Sequence, residues 1–332
     1  MDPLTQGVLG SAVAQQSANK KNIIIATLFG FLSGLAPDLD IFIRSNHDPL
    51  LALEYHRQFT HSLIFIPIGG LICAVIFYYL FAKRREIEFK SVYLYCTLGY
   101  GTHGLLDSCT SYGTQLLWPF SDARISWNTI SIIDPIFTLP IFLLILIGAL
   151  KKKKIYTRIS LCWIISYCIF GVVQKERAKD LASNLALSRG HTNALVDVKP
   201  SFANLIVWKS IYSNNNIYYV DAVKVGLRTK IYEGSKINKL NISESFPWLD
   251  LSSQQAKDIE RFRWFSGGYV ALSNKYKNRI IDIRYSMLPN EIKGLWGIEL
   301  DSLAGSEIHA KYVFNRERNI NSIKELFKMI KD

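Results

Sequence analysis

Three long apolar runs crowd into the first half of this chain, and they limit what it can fold into. Residues 62–81, 132–150 and 155–173 are 20, 19 and 19 residues long. A helix needs about 20 apolar residues to cross the hydrocarbon core of a bilayer. Two shorter runs, 22–36 and 91–106, read as further spans. Residues 4–18 are weaker and rich in Gly, Ala and Ser, a composition that lets helices pack closely inside a bundle. The expectation is a helical, polytopic membrane domain of five to six short helices over residues 1–173. The hydrophobic fraction of the whole chain is 49%, an average that hides a water-soluble pattern after residue 173.

Charge sharpens the membrane reading. The net charge is +12, and a basic chain invites a nucleic-acid role. The basic residues, however, sit in short gaps between apolar runs. Lys20, Lys21, Lys83, Arg84, Arg85, Lys90, Lys151 to Lys154 and Arg158 fall on one side of the expected membrane. Only Arg44, Arg57 and Arg124 fall in the opposite loops, 37–61 and 107–131. That asymmetry is a topology signal, so no nucleic-acid partner is expected. It puts the basic loops in the cytoplasm and the other loops, with the C-terminal half, outside. The chain opens Met1-Asp2-Pro3 without a basic leader region, so no cleavable signal is expected. The five cysteines have no C-x-x-C spacing and read as small buried residues.

The two lightly charged loops carry the chemistry. One opens on Asp38 and Asp40 and closes on His56, Arg57 and His61. The span after it ends with His103 and Asp107, four residues apart and hence on one helical face. Ionisable groups at a membrane are costly and are usually paired or functional. Imidazoles with carboxylates suit zinc, and also manganese or iron. Asp38, Asp40, His56, His61, His103 and Asp107 are the candidate ligands. Arg57 and Arg124 are candidate catalytic residues, as binders of an anionic group or a developing oxyanion. Gly99 to Gly104 spells G-x-G-x-x-G, but inside an apolar span it lacks the strand-turn-helix setting of a dinucleotide site.

At these residues the chain resembles the YdjM-type family of inner-membrane proteins, described as membrane-bound metal-dependent hydrolases. The similar stretches are MDPLTQGVLG at 1–10, APDLD at 36–40, HRQFTHS at 56–62, HGLLDSCTSYGTQLLWPFSDARIS at 103–126 and IIDP at 132–135. The resemblance implies a divalent-metal site built from the six ligands above, in the inner membrane. It implies a hydrolase, and because the site opens at the bilayer surface, the expected substrate is a small-molecule or lipid-linked ester or phosphoester. Members typically have His where this chain has Gln6. A non-enzymatic metal-binding scaffold or sensor is the alternative. A transporter fits less well, because transporter sites lie near the bilayer midplane and these residues cluster at helix ends.

Residues 174–332 read as a small soluble α+β domain. Residues 174–190 form a helix stopped by Gly190, and 252–263 a second helix. Strands are expected at 203–208, 217–224, 269–273, 279–286 and 295–300. No catalytic constellation is evident there.

Overall fold

A computed structural model describes residues 1–315 and 320–332. The chain divides into two units. The first comprises Met1–Phe42, Tyr55–Val173 and Phe202–Asn204; the second comprises Ile43–Glu54, Gln174–Ser201 and Leu205–Asp332.

The first unit is helical. Its helices are α1 (Pro3–Ser17), α2 (Ile23–Leu35), α4 (Ile66–Phe77), α5 (Phe89–Cys109), α6 (Pro135–Lys151) and the start of α7 (Lys154–Ser188). Local sequence sets their ends. Asp2 caps α1 by accepting from the Thr5 amide at 3.0 Å, with Pro3 just inside the helix. Asp134 and Pro135 do the same for α6. Helix α1 packs on α2, α5 and α6, and α2 and α4 both pack on α5. The α1–α2 contact is close because both helices lack side chains where they meet. A Cβ on Gly30 would lie 2.5 Å from the Gly10 carbonyl oxygen and 2.5 Å from the Ala14 methyl. Ala14, Ala26, Phe29, Ala74, Val92 and Cys96 fill the core between these helices.

The outward faces are apolar. Leu71, Ile72 and Ile76 on α4, Leu139, Leu143 and Leu150 on α6, and Ile165 and Ile169 on α7 are all exposed. Contiguous apolar surface on this scale is expensive in water and neutral against lipid. Among the described residues, three helical stretches are long and apolar enough to cross a bilayer: Ile23–Phe42, Leu63–Arg85 and Lys154–Ser188. The other expected spans are also helices, but shorter or more polar. Helix α6 has 17 residues, and α5 carries tyrosines, threonines, a histidine and an aspartate along its length. Helix α1 is buried along most of its 15 residues. The expectation of buried cysteines holds for Cys73 and Cys96 only: Cys109 and Cys168 are partly exposed and Cys162 is exposed on α7.

The second unit holds two four-stranded antiparallel meanders. The first is β1 (Asp197–Pro200), β2 (Val207–Asn214), β3 (Ile217–Val225) and β4 (Thr229–Asn238), paired in that order. The second is β5 (Val270–Leu272), β6 (Arg279–Asp282), β7 (Trp296–Glu299) and β8 (Lys311–Phe314). Strands β3, β5, β6 and β7 lie within or across expected runs. Strands β1, β4 and β8 were not expected, because they carry little apolar alternation. Strand β4 is exposed along nearly its whole length and holds its place by pairing with β3. The run expected at 203–208 begins as a turn, and the strand starts at Val207. Helix α9 (Gln254–Phe265) matches the second expected helix and is capped by Ser253, which accepts from the Ala256 amide at 3.3 Å. The short helices α3 (Leu51–Tyr55) and α8 (Ile242–Ser245) and the C-terminal α10 (Ile320–Lys331) complete the described chain.

Candidate metal centre

Four pieces of chain bring the site together. Pro37 follows the end of α2, where a proline favours a break, and the chain continues as a tight 3-10 turn over Ala36–Phe42 that carries Asp38 and Asp40. A second 3-10 turn, Phe59–His61, carries Thr60 and His61. Helix α5 presents His103 and Asp107 one turn apart, both fully buried. Helix α1 supplies Gln6.

The four atoms Asp38 Oδ1, His61 Nε2, His103 Nε2 and Asp107 Oδ2 converge. Asp38 Oδ1 lies 3.4 Å from His61 Nε2 and 3.3 Å from His103 Nε2. Asp107 Oδ2 lies 3.4 Å and 3.8 Å from the same two nitrogens. In a tetrahedron of ligands at the bond lengths usual for zinc, neighbouring ligand atoms stand about 3.3–3.4 Å apart. Three of the four separations match that spacing, and the fourth, between His103 and Asp107, is wider at 3.8 Å.

Hydrogen bonding fixes which ring nitrogens face inward. His103 Nδ1 sits 2.6 Å from the Gly34 carbonyl oxygen, which only accepts, so Nδ1 carries the proton. His61 Nδ1 faces Asp40 Oδ2 at 3.2 Å and Thr60 Oγ1 at 3.0 Å, and the carboxylate again calls for a proton on Nδ1. In a neutral ring each Nε2 then offers a lone pair toward two carboxylate oxygens. His61 Nε2, His103 Nε2 and Asp107 Oδ2 are buried with no hydrogen-bond partner. Buried polar atoms left unpaired are rare and costly, and convergent lone pairs repel. The cluster therefore calls for positive charge at its centre. Burial works against a charged His61, yet the carboxylates of Asp107, Asp38 and Asp40 outweigh it and push its pKa up to about 10. A divalent cation answers the same demand, and the donor set of two imidazoles and two carboxylates could hold one.

The remaining expected ligands lie around this cage. Asp40 is buried and accepts from the Arg57 amide at 3.0 Å and from Thr60 Oγ1 at 2.8 Å, and its other oxygen meets His56 Nδ1 at 2.7 Å. It thus braces both His56 and His61. Asp38, Asp40 and His56 form a second, overlapping group that could also hold a cation. Arg57 has a left-handed backbone, with φ at 67°, a strained state for a residue with a side chain. Its amide to Asp40 and its carbonyl to the Gln115 amide at 2.9 Å hold it there. Its Nε lies 3.0 Å from Asp107 Oδ2, its Nη1 donates to Thr110 Oγ1 at 3.2 Å, and its guanidinium covers the Tyr112 ring at 4.7 Å. Arg124 stands over the same ring at 5.7 Å and donates from Nη2 to the Gly113 carbonyl at 3.0 Å. Gln6 Nε2 donates to Asp107 Oδ1 at 2.8 Å, and the Met1 amine meets that same oxygen.

Thr60, Thr110, Tyr112 and the Gly34 carbonyl were not singled out from the sequence. The repeated Thr-His pair, Thr60-His61 and Thr102-His103, was a visible signal, and in the first pair the threonine holds the aspartate that braces its neighbour. Thr102 instead donates to its own helix, to the Gly99 carbonyl at 2.8 Å.

Apolar helices with lipid-compatible faces and a buried His/Asp cluster define a membrane protein with a candidate metal centre. The comparison with known proteins agrees on the membrane. Residues 1–178 match the YdjM inner membrane protein family, and the chain belongs to it. Family and apolar helices together support an inner-membrane location. YfhP of Bacillus subtilis, a protein of uncharacterised function, is 28% identical over 127 residues, which is 38% of this chain and 37% of YfhP. The inner membrane protein YbcI of Escherichia coli is 31% identical over 109 residues, 31% of this chain and 60% of YbcI. The match thus spans between a third and three-fifths of these relatives. No solved structure matches.

Proposed function

We propose that this chain is a membrane-embedded, metal-dependent hydrolase. Asp38, His61, His103 and Asp107 hold a divalent cation, zinc first and manganese or iron next. The observation that carries this reading is the convergence with Asp38 Oδ1 of three buried ligand atoms that make no hydrogen bond, of which only Asp107 Oδ2 has a counter-charge, the Arg57 guanidinium. A cation there supplies Lewis acidity, which polarises an ester or phosphoester and lowers the pKa of water toward about 7. Asp40 locks the His61 ring so that Nε2 faces inward. Arg57 balances the charge of Asp107 and stays oriented by Tyr112. Asp38 is the most exposed of the four side chains, at 25% against 0% for the others, so a substrate reaches the cage from its side. Arg57 and Arg124 both stand over the Tyr112 ring, and the pair suits an anionic, lipid-linked substrate. The domain is read as crossing the membrane five to six times over residues 1–173. The domain at 174–332 then lies outside the cytoplasm, supported by the loop charges.

A non-enzymatic metal-binding scaffold or sensor is the second reading. It is favoured by the fact that protein side chains supply all four corners of the cage, as in structural zinc sites.

The test is metal analysis of the detergent-purified chain, with turnover on a panel of esters and phosphoesters. His103→Ala and Asp107→Ala should each remove most of the bound metal, and the double variant should lose little more, since a half-dismantled cage already binds poorly. Metal without turnover on any substrate favours the scaffold. If wild-type protein resupplied with Zn²⁺, Mn²⁺ or Fe²⁺ binds none of them, the metal centre and the hydrolase reading both fall.

A further inference from the structure

Residues Ile43–Glu54 are part of the C-terminal unit, although they lie in the sequence between Asp40 and His56. Leu50 and Leu53 are buried, and one charged side chain gathers the segment's carboxylates. Arg261, on α9, forks onto Asp48, with Nη1 at 3.0 Å from Oδ1 and Nη2 at 2.7 Å from Oδ2. Its Nε donates to Glu54 at 2.5 Å, and Nη1 also donates to Asp258 at 2.9 Å. Asp258 is fully buried and is itself fixed by the Ala310 amide at 2.9 Å and by His309 Nδ1 at 2.9 Å. The segment is rigid at its own end too. Ser45 Oγ accepts from the His47 and Asp48 amides, and Asp48 Oδ1 accepts from the Leu50 amide at 3.0 Å.

We propose that Arg261 is a positioning residue for the metal centre, a role that rests on the metal reading above. One guanidinium gathers three carboxylates, two from the 43–54 segment and one from α9. The segment's two ends lead directly into the turn bearing Asp38 and Asp40 and into the stretch bearing His56, Arg57 and His61. Fixing the segment fixes the ends from which these side chains project. Asp48, Glu54 and Asp258 would repel one another without Arg261, so its loss should release the segment rather than merely loosen it. Lysine keeps the charge but not the planar fork, so Arg261→Lys should fall between the two.

The experiment uses the full chain in detergent loaded with Co²⁺, whose visible absorption reports ligand geometry. Arg261→Ala should bind Co²⁺ at least tenfold more weakly and with a changed spectrum. Arg261→Lys should recover part of both. Amide hydrogen exchange over residues 55–62 should speed up in step. Should Arg261→Ala fail to fold, the Asp48→Asn/Glu54→Gln double variant breaks the same clasp without stranding three carboxylates, and the same changes are expected of it. Wild-type affinity and spectrum in the folded clasp variants would overturn the positioning role and leave the metal centre standing. A wild-type chain that takes up no Co²⁺ would overturn the metal centre, and this role with it.

Discussion

Asp40 separates what a ligand does from what a ligand's neighbour does. Its carboxylate spends both oxygens on Arg57, Thr60, His56 and His61 and contributes none to the inner cage. Groups that orient a metal-bound imidazole typically alter metal affinity by about 10–100-fold when removed. Asp40→Asn should therefore weaken Zn²⁺ binding by that order while leaving stoichiometry unchanged, measured by titration against a competing chelator. An unchanged dissociation constant would show that His61 needs no brace. The distinction was not legible in the sequence. His103 and Asp107 were, because four-residue spacing on a helix is a local rule. Asp38, Asp40, His56 and His61 were legible only as a group. Which of them face the centre depends on Thr60 and the strained Arg57 backbone, both of them tertiary facts. Gln6 could be placed near the site by resemblance, but its contact with Asp107 is set by how α1 packs on α5.

Helix α5 shows how an element's surface carries the site. A Cβ at Gly104 would run into the His61 carbonyl and come within 3.2 Å of Leu116. One turn back, a Cβ at Gly101 would meet only the flexible end of Ile66, at 3.3 Å and beyond. Gly104→Ala should push the His61 turn away from α5, destabilise the protein by about 1–3 kcal/mol as overpacking usually does, and reduce bound metal. Gly101→Ala should be tolerated, because alanine favours the helix by up to about 1 kcal/mol over glycine. Thermal melts of the two variants in detergent check this, and equal melting temperatures would refute the close approach. At this scale the apolar runs were readable wherever one face meets lipid and another the core. The strands β1, β4 and β8 were not, since sheet pairing rather than burial of alternate side chains defines them.

At the scale of the whole molecule, the loop charges make a claim about sidedness. The basic residues listed above should keep their loops in the cytoplasm. A C-terminal alkaline phosphatase fusion should then be active in the periplasm of a bacterial host, and a C-terminal fluorescent-protein fusion dark. The reverse pattern would turn the chain over and move the metal centre to the cytoplasmic face. Hydropathy falls after residue 173, although helix α7 runs on through that point. That residues 43–54 side with the C-terminal unit cannot be read from hydropathy, because the ion cluster they join links positions more than two hundred residues apart. That separation also has a consequence in time. Asp48 and Glu54 precede Arg261 by 213 and 207 residues. At about 5–20 residues per second of synthesis, the segment waits on the order of ten to forty seconds after it is made before its partner exists. Through that interval the nascent chain holds the acidic segment without its counter-charge, and the clasp can close only once the stretch that carries Arg261 has been made.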